Sequence, residues 1–338
     1  MKTPNSKNEI TLKWLKHILR NSEYKNPSTF EIDNSFNNQS ILGEIVKIRI
    51  NNSNGVQKSL IVKFQKCSNK TRESHIYNLL LNAGINSIPK IVHSCTDGTI
   101  IMEDLSWCSI ASIVNGCNIE KAKNVLSAIA DIHNKFINKN DVPIFDYKKF
   151  SKVIDYNMQQ SWSKYVNQYP IKIGSLEKDF YWIWQNPEIV SKTYVEGKLA
   201  LSHGDLHLEN ILFQTNDEVK IIDWQLSDKK NMAFDISYFL IQNLTLEQRK
   251  TSEKQLIEYY YNLLSEDIKE NYSYKNFLLG YRACITRSMV SSVMYNGDRF
   301  KHRNDYREFS DTIAERVISA VNDWNPIEAV KELESISN

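Results

Sequence analysis

The chain has 338 residues, enough for two domains, and its 41% hydrophobic and 11% aromatic content is that of an ordinary globular protein. Forty-two lysines and arginines nearly balance 40 aspartates and glutamates, so nothing in the charge favours nucleic acid or an anionic membrane as a partner. The five cysteines show no CxxC spacing, which argues against a disulfide framework or a zinc site. Without a signal peptide or an apolar run of 18 residues, we expect a cytoplasmic protein.

The first 105 residues predict a small β-rich lobe. The run "LKWLKHIL" has apolar residues at helical spacing and predicts an amphipathic first helix. Stretches rich in β-branched residues within 29–65 predict three strands, and 72–84 predicts a helix that ends at Gly84. The runs "PKIVHSC" and "TIIMEDL", joined by "TDG", predict a hairpin. We therefore expect an N-terminal lobe over 1–105, with a first helix, a five-stranded sheet and one further helix.

Beyond residue 105 the pattern becomes helical. Residues 120–137 place their apolar side chains on one face, and 246–338 reads as several helices. The tryptophan and tyrosine clusters within 150–195 are typical of helix packing, with a substrate wall as the alternative. We therefore expect a larger, mainly helical C-terminal lobe over 106–338, and an α+β fold for the whole chain.

One polar block stands between the helical segments, "LALSHGDLHLENILFQTNDEVKIIDWQ" at 199–225. Two short strand-like runs around a polar turn predict a hairpin. If the turn is centred between Asn216 and Asp217, Asn210 lies opposite Asp223, with Cβ atoms about 4.5–5.5 Å apart. An amide oxygen and a carboxylate at that spacing could share magnesium, which prefers oxygen ligands.

The order of these residues is the arrangement used for phosphoryl transfer: an aspartate, an asparagine five residues later, and then an aspartate at the end of a strand. With "SLIVK", "MEDL", "HGDLHLENILF", "IIDWQ" and "DISYFL" in that order, the sequence resembles the aminoglycoside phosphotransferase and choline kinase superfamily, and most closely its ecdysteroid-kinase-like branch. The resemblance covers roughly residues 38–245. It implies a bilobal protein-kinase-like fold, with nucleotide bound by the N-terminal lobe and catalysis and substrate binding in the C-terminal lobe.

The resemblance also implies roles for individual residues. Asp205 would be the catalytic base, and Asn210 and Asp223 would be the magnesium ligands. Lys63, on the third strand, would contact the α- and β-phosphates of ATP, with Glu73 as its ion-pair partner. The cofactors expected are therefore ATP, with GTP as the alternative purine nucleotide, and magnesium.

Further contacts to the nucleotide would come from the hinge and from a phosphate-covering loop. The backbone from Glu103 to Leu105 would hydrogen-bond the base, and Met102 would pack nearby. The loop near 37–43 has a single glycine instead of a GxGxxG pattern, so the phosphate contact would come from backbone near Gln39 and Ser40. By the same resemblance, His203 is a structural residue of the catalytic loop and Asp235 braces that loop.

The expected acceptor is a small molecule that carries a hydroxyl group. Only eleven residues separate Asp223 from Asp235, which leaves no room for a protein-kinase activation segment. The acceptor could be an antibiotic, a sugar, a choline-like amine alcohol or a sterol-like alcohol.

A pseudokinase that binds nucleotide without turnover and a nucleotidyl transferase are the rival functions. For Glu209 we expect contact either with substrate or with solvent. The basic run 299–303 predicts a helix face or loop that is exposed to solvent. The protein is expected to be a monomer or a homodimer.

Overall fold

The computed structural model describes residues 3–36, 43–52, 55, 57–65, 71–137, 139–297, 300–301 and 303–337. The chain forms two compact units. The first unit consists of Met1–Ser109 and Leu212–Gln225, and the second of Ile110–Ile211 and Leu226–Asn338. The sequence pattern predicts a single division after residue 105. A later segment of the chain belongs to the first unit as well, so sequence order alone does not define that unit.

The first unit contains an antiparallel five-stranded sheet and two α-helices in its described part. The helices are α1 (Leu12–Ile18) and α2 (Arg72–Asn82). The strands are β1 (Pro27–Ile32), β2 (Gly43–Asn52), β3 (Gln57–Gln65), β4 (Ile91–Ser94) and β5 (Ile100–Glu103), in the spatial order β1-β2-β3-β5-β4. The predicted strands and helices of this region are therefore confirmed.

The sheet forms because alternate residues of its central strands are apolar and bury one face. In β2, Ile48 and Ile50 are fully buried, and Val62 of β3 lies opposite Val46 in the register. Helix α1 covers this face with Trp14 and other apolar side chains of the same core cluster. Each such buried side chain contributes about 1.5–3 kcal/mol relative to an exposed one. The amphipathic first helix is therefore part of the sheet's core.

The second unit is mainly helical, as predicted. Its helices are α3 (Ile119–Phe136), α4 (Tyr147–Gln168), α5 (Pro170–Ile173), α6 (Glu177–Gln185), α7 (Pro187–Lys192), α8 (Ala233–Asn243), α9 (Leu246–Asn262), α10 (Glu266–Asn271), α11 (Tyr274–Tyr295), α12 (Tyr306–Trp324) and α13 (Pro326–Ser337). Helix α8 is buried along its whole length, and α11 packs against it. A two-stranded antiparallel ladder pairs strands at Leu199–Ser202 and Asp228–Asn231. None of the described helices has the length and apolar content needed to span a bilayer.

The short strands are numbered in chain order as β6 (Ser109–Ile110), β7 (Leu199–Ser202), β8 (Ile211–Phe213), β9 (Val219–Ile221) and β10 (Asp228–Asn231). Strands β8 and β9 form the predicted hairpin, but the predicted turn centre is wrong. Gln214 N donates to Glu218 O at 2.9 Å, and Asp217 N donates to Gln214 O at 3.0 Å. The loop therefore has three residues and not two, with Asp217 left-handed at φ +60°. Inside the hairpin the pairing is shifted by one residue from the register that had placed Asn210 opposite Asp223.

Candidate active site

In the second unit, the loop after β7 begins with a conformation that requires glycine. Gly204 has φ +85°, and a Cβ atom there would lie 2.3 Å from the carbonyl oxygen of Leu226. The backbone N–H groups of His203 and Gly204 donate to the carboxylate of Asp235 at 2.6 and 2.9 Å. Asp235 is 1% exposed, so its two acceptor oxygens hold the start of the loop from α8. This contact is the bracing that the resemblance implied.

The far end of the same loop is held from the other end of α8. Leu208 N donates to Oδ1 of Asn243 at 3.0 Å, and Asn243 is fully buried. A buried acceptor that satisfies a loop N–H fixes backbone position, because leaving that N–H unpaired would cost about 1–3 kcal/mol. Sequence reasoning missed Asn243. Its only sequence signal is a polar residue at the end of a strongly apolar helix.

Asp205 lies between these two fixed points with its side chain 29% exposed. Its Oδ1 accepts a hydrogen bond from Tyr238 Oη at 3.2 Å, and its Oδ2 lies 3.5 Å from His207 Nε2. Burial by itself would raise the pKa of Asp205, but the charge and hydrogen bond of His207, with the charge of Arg287, outweigh it. The pKa therefore lies well below its ordinary value. The structure thus presents an ionised and accessible carboxylate at the predicted base.

Asn210 is oriented by the loop that carries Asp205. Its Nδ2 donates to the backbone oxygen of Asp205 at 3.0 Å and lies 3.2 Å from His207 Nε2. These contacts engage the amide nitrogen, and the amide oxygen is of the type that magnesium prefers.

In the first unit, Lys63 forms a buried ion-pair triad with Glu73 and Asp223. Lys63 Nζ lies 2.9 Å from Glu73 Oε1 and 2.7 Å from Asp223 Oδ1. Lys63 is 4% exposed and Glu73 is 1% exposed, and Gln65 donates to the second oxygen of Glu73. Burial lowers the pKa of Lys63, but the two carboxylates outweigh it and raise that pKa above its ordinary value. Lys63 is therefore held as a fixed cation.

Asp223 has a strained backbone. Its φ is +69°, a left-handed conformation that costs an L-residue about 1–2 kcal/mol. Its backbone N–H donates to Tyr77 Oη at 3.3 Å, and Gln225 Nε2 donates to its Oδ2 at 3.2 Å. Strain of this kind persists where surrounding contacts hold it and is frequent at functional sites. Tyr77, on α2, was missed by the sequence analysis.

The predicted magnesium ligands are chemically suited to that ion. Among the described residues, no group of three or more histidines, cysteines, aspartates or glutamates could hold a metal. Asn210 and Asp223 each offer an oxygen, and magnesium typically takes one or two protein ligands and completes its shell with phosphates and water. Each of these side chains offers the type of oxygen that a magnesium ion bound with nucleotide takes from protein.

The predicted hinge segment is partly engaged within its own unit. Glu103 N donates to Lys90 O at 3.0 Å, and Leu105 O accepts from Cys108 N at 2.9 Å. Met102 is 7% exposed on β5. Backbone contact with a nucleotide base would therefore have to use other groups of this segment. Ser40 lies outside the described residues, and its role stays a prediction.

Glu209 is paired with a residue from the basic run. Arg303 donates from Nη2 and Nη1 to the two oxygens of Glu209 at 2.8 and 3.2 Å, and from Nε to Asp305 at 2.9 Å. Its guanidinium also lies 4.2 Å from the ring centre of Phe309. These contacts raise the pKa of Arg303, first through its hydrogen bond with Glu209. The sequence predicts contact with substrate or with solvent for Glu209, and the structure shows a protein partner, Arg303, which is 94 residues away.

Comparison with known proteins places this geometry in a family. The model of the ecdysteroid kinase-like family matches residues 76–272. Choline kinase from Cryptosporidium parvum is 14% identical, with a TM-score of 0.58 over 93% of this chain and 95% of that chain. Choline kinase LicA from Streptococcus pneumoniae is 16% identical, with a TM-score of 0.54 over 92% and 99%. Spectinomycin phosphotransferase, solved with ADP and spectinomycin, is 16% identical, with a TM-score of 0.57 over 92% and 98%.

No curated protein sequence gave a match. At these identities the solved structures establish the fold, which is the protein-kinase-like fold of small-molecule kinases, with an N-terminal antiparallel sheet and a largely helical C-terminal part. The fold class and the superfamily predicted from the sequence are therefore confirmed. Because the matching family model covers more than half of its residues, the chain belongs to the ecdysteroid kinase-like family.

Proposed function

We propose that the protein transfers the γ-phosphoryl group of ATP, with magnesium, to a hydroxyl group of a small molecule. The observation that carries this proposal is the position of Asp205. Its carboxylate is part-exposed, and its loop is held by Asp235 at one end and Asn243 at the other. A general base must be accessible and held in place, so that it can reach the proton it accepts.

Each residue of the proposed mechanism has one task. Asp205 accepts the proton of the acceptor hydroxyl as its oxygen attacks the γ-phosphorus, and the bond between that phosphorus and the β-γ bridging oxygen breaks, which releases ADP. Lys63, held by its two carboxylates, supplies positive charge to the phosphates. Magnesium, when bound, would neutralise further charge on the phosphates, with Asn210 and Asp223 as its candidate ligands.

The experiment is a panel of hydroxylated acceptors incubated with ATP or GTP and magnesium, and read by mass spectrometry. The panel includes aminoglycosides, macrolides, choline, sugars and sterols, because the comparisons leave the acceptor open. A product heavier by one phosphate supports the proposal. A product heavier by a whole nucleotide supports a nucleotidyl transferase, and nucleotide binding without any product supports a pseudokinase.

The panel is repeated with Asp205→Asn, which keeps the size of the side chain and removes the base. We expect kcat to fall by about 10²–10⁴-fold, while the Kd of the nucleotide changes little. Asp131→Asn, an exposed residue paired with Lys135, is the matched control and should keep full activity. Full activity in Asp205→Asn would refute the assignment of the base.

A further inference from the structure

A buried arginine lies beside the proposed base. Arg287, in the middle of α11, is 8% exposed. Its guanidinium lies 4.9 Å from the ring centre of Tyr238 and 5.8 Å from that of Phe150. Tyr238 is also the residue whose hydroxyl donates to Asp205 at 3.2 Å. The same tyrosine therefore contacts the base with its hydroxyl and the arginine with its ring.

The guanidinium of Arg287 has far more donors than partners. It carries five N–H groups. Within the part of the chain that the structure describes, its only hydrogen bond runs from Nη1 to Ser291 Oγ, and no carboxylate lies within ion-pair distance of it. The pKa of Arg287 is raised, because the surrounding tyrosines and Asp205 outweigh its burial. The surroundings therefore hold Arg287 as a cation, and its remaining N–H groups can donate to an anion that a ligand supplies.

Asp205 is the carboxylate whose charge acts on Arg287. Its two oxygens contact Tyr238 Oη and His207 Nε2 and form no ion pair with the guanidinium.

A second buried cation lies at the other end of the same aromatic cluster. Lys230 is 2% exposed, and its Nζ lies 4.9 Å from the ring centre of Phe145 and 3.6 Å from Asp228 Oδ2. The rings of Phe145 and Phe150 lie 5.2 Å apart, so aromatic rings connect Lys230 with Arg287. Because Lys230 is paired with Asp228, Arg287 is the cation of this cluster that is proposed to meet a ligand.

We propose that Arg287 binds an anionic group of the acceptor, so that the preferred acceptors are hydroxylated carboxylates with a ring or another apolar body. This inference rests on the proposed function, because it names the acceptor of that reaction. A planar guanidinium pairs with a carboxylate through two parallel hydrogen bonds, and the rings of Tyr238 and Phe150 offer apolar surface beside it. A cationic acceptor such as choline would instead meet the positive charge of Arg287.

The test measures binding of three matched probes by isothermal titration calorimetry, without nucleotide. The probes share a benzyl group and a hydroxyl and differ in charge: 3-phenyllactate is an anion, 3-phenylpropane-1,2-diol is neutral, and phenylalaninol is a cation. We expect 3-phenyllactate to bind at least ten-fold more tightly than phenylalaninol, with the diol between them. Equal or tighter binding of phenylalaninol overturns the inference, whether or not any variant folds.

Variants then assign the effect to the arginine. Arg287→Gln should raise the Kd of 3-phenyllactate about ten- to hundred-fold and leave the Kd of the diol unchanged. Arg287→Lys should recover part of the lost affinity. Arg282→Gln, on the same helix and paired with Glu328, is the matched control and should bind all three probes like the parent. A folded Arg287→Gln that keeps the parent affinity for 3-phenyllactate also overturns the inference. Because nucleotide is absent, failure of phosphotransfer would leave these binding results unaffected.

Discussion

At the residue scale, two backbone positions show how the site is built. Gly204 and Asp223 both have positive φ, at +85° and +69°. Gly204 must be glycine because a Cβ atom would clash with the Leu226 carbonyl, whereas Asp223 tolerates strain because Lys63 and Tyr77 hold it. Steric exclusion of a Cβ atom determines the backbone conformation at Gly204, and attractive contacts hold it at Asp223. Substitutions at the two positions should therefore destabilise the protein for different reasons.

We predict that Gly204→Ala lowers the free energy of unfolding by about 2 kcal/mol or more, because it combines left-handed strain with a backbone clash. The measurement is chemical denaturation followed by tryptophan fluorescence. Gly174→Ala is the control: Gly174 also has positive φ, +37°, but a methyl carbon added there would meet no atom within 4 Å beyond its chain neighbours. Equal losses in the two variants would show that the contact with Leu226 contributes nothing.

Substitutions in the triad of Lys63, Glu73 and Asp223 can separate the contribution of Lys63 to stability from its proposed role in phosphotransfer. We predict that Lys63→Met lowers the free energy of unfolding by about 3–5 kcal/mol, because it leaves Glu73 buried and uncompensated. The double variant Lys63→Met with Glu73→Gln should recover much of this stability. It should not recover phosphotransfer, because the cation that is proposed to contact the phosphates is still missing.

The single and the double variant are compared by thermal unfolding and by kcat/KM for ATP. Lys58→Met is the control on the same strand, since Lys58 is part-exposed and pairs with Glu23 on the surface. Activity that returns in the double variant would mean that Lys63 serves the fold and not the nucleotide.

At the element scale, α8 is the part of the second unit that organises the loop of Asp205. Asp235 near its start and Asn243 at its end accept hydrogen bonds from the two ends of the loop, and Tyr238 between them contacts Asp205. All three side chains project from one helix that is buried along its whole length. Burial therefore fixes the helix, and the helix in turn fixes the loop.

Helices α3 and α9 meet at a buried histidine, and this contact should make stability depend on pH. His133 is 1% exposed, and its Nδ1 lies 2.5 Å from Tyr260 Oη. Burial lowers the pKa of His133 to about 4. Because the pKa is lower in the folded than in the unfolded state, the contribution of neutral His133 is complete above about pH 6.5 and is lost as the pH falls towards 4.

We predict that the protein loses up to about 3 kcal/mol of stability between about pH 6.5 and about pH 4 through this group, relative to His133→Gln, which has no proton to bind. Denaturation curves at several pH values measure the difference. His17→Gln, a change on the exposed end of α1, should keep the slope of the parent. If the free energy of unfolding changed with pH in the same way in the parent and in His133→Gln, the prediction would be contradicted.

At the scale of the whole molecule, nucleotide and magnesium should act as stabilising ligands. A ligand at about 100 times its Kd adds about 2.7 kcal/mol to the folded state. We predict that ADP with magnesium raises Tm, that EDTA removes most of this rise, and that Asn210→Ala or Asp223→Ala reduces the magnesium-dependent part. Differential scanning fluorimetry measures each effect. A rise in Tm that is the same with EDTA would contradict the predicted metal ligands.

Much of this molecule could be predicted from local sequence patterns. Alternating apolar residues predicted the strands, and periodicity at 120–137 predicted α3 within one residue at each end. The spacing from Asp205 to Asn210 and on to Asp223 indicated the family. These signals are local because strand and helix periodicities and loop motifs extend over a few residues.

Contacts between distant segments could not be read in the same way. The partner of Glu209 is Arg303, and Leu208 is held by Asn243. The hairpin register was missed by one residue because a three-residue loop with left-handed Asp217 and a two-residue turn have similar sequences. Side-chain pairing of this kind depends on how helices pack, and packing has no fixed spacing in the sequence.

The sequence by itself determined the family, the fold class and the order of the reactive residues, because each rests on short-range patterns. Tertiary structure alone decided the environment of those residues. It placed Lys63 between two carboxylates, fixed the loop of Asp205 from α8, and put the cation of Arg287 beside Tyr238, which contacts Asp205. The physical reason is that charge, burial and hydrogen bonding depend on neighbours in space, and those neighbours come from segments far apart in the chain.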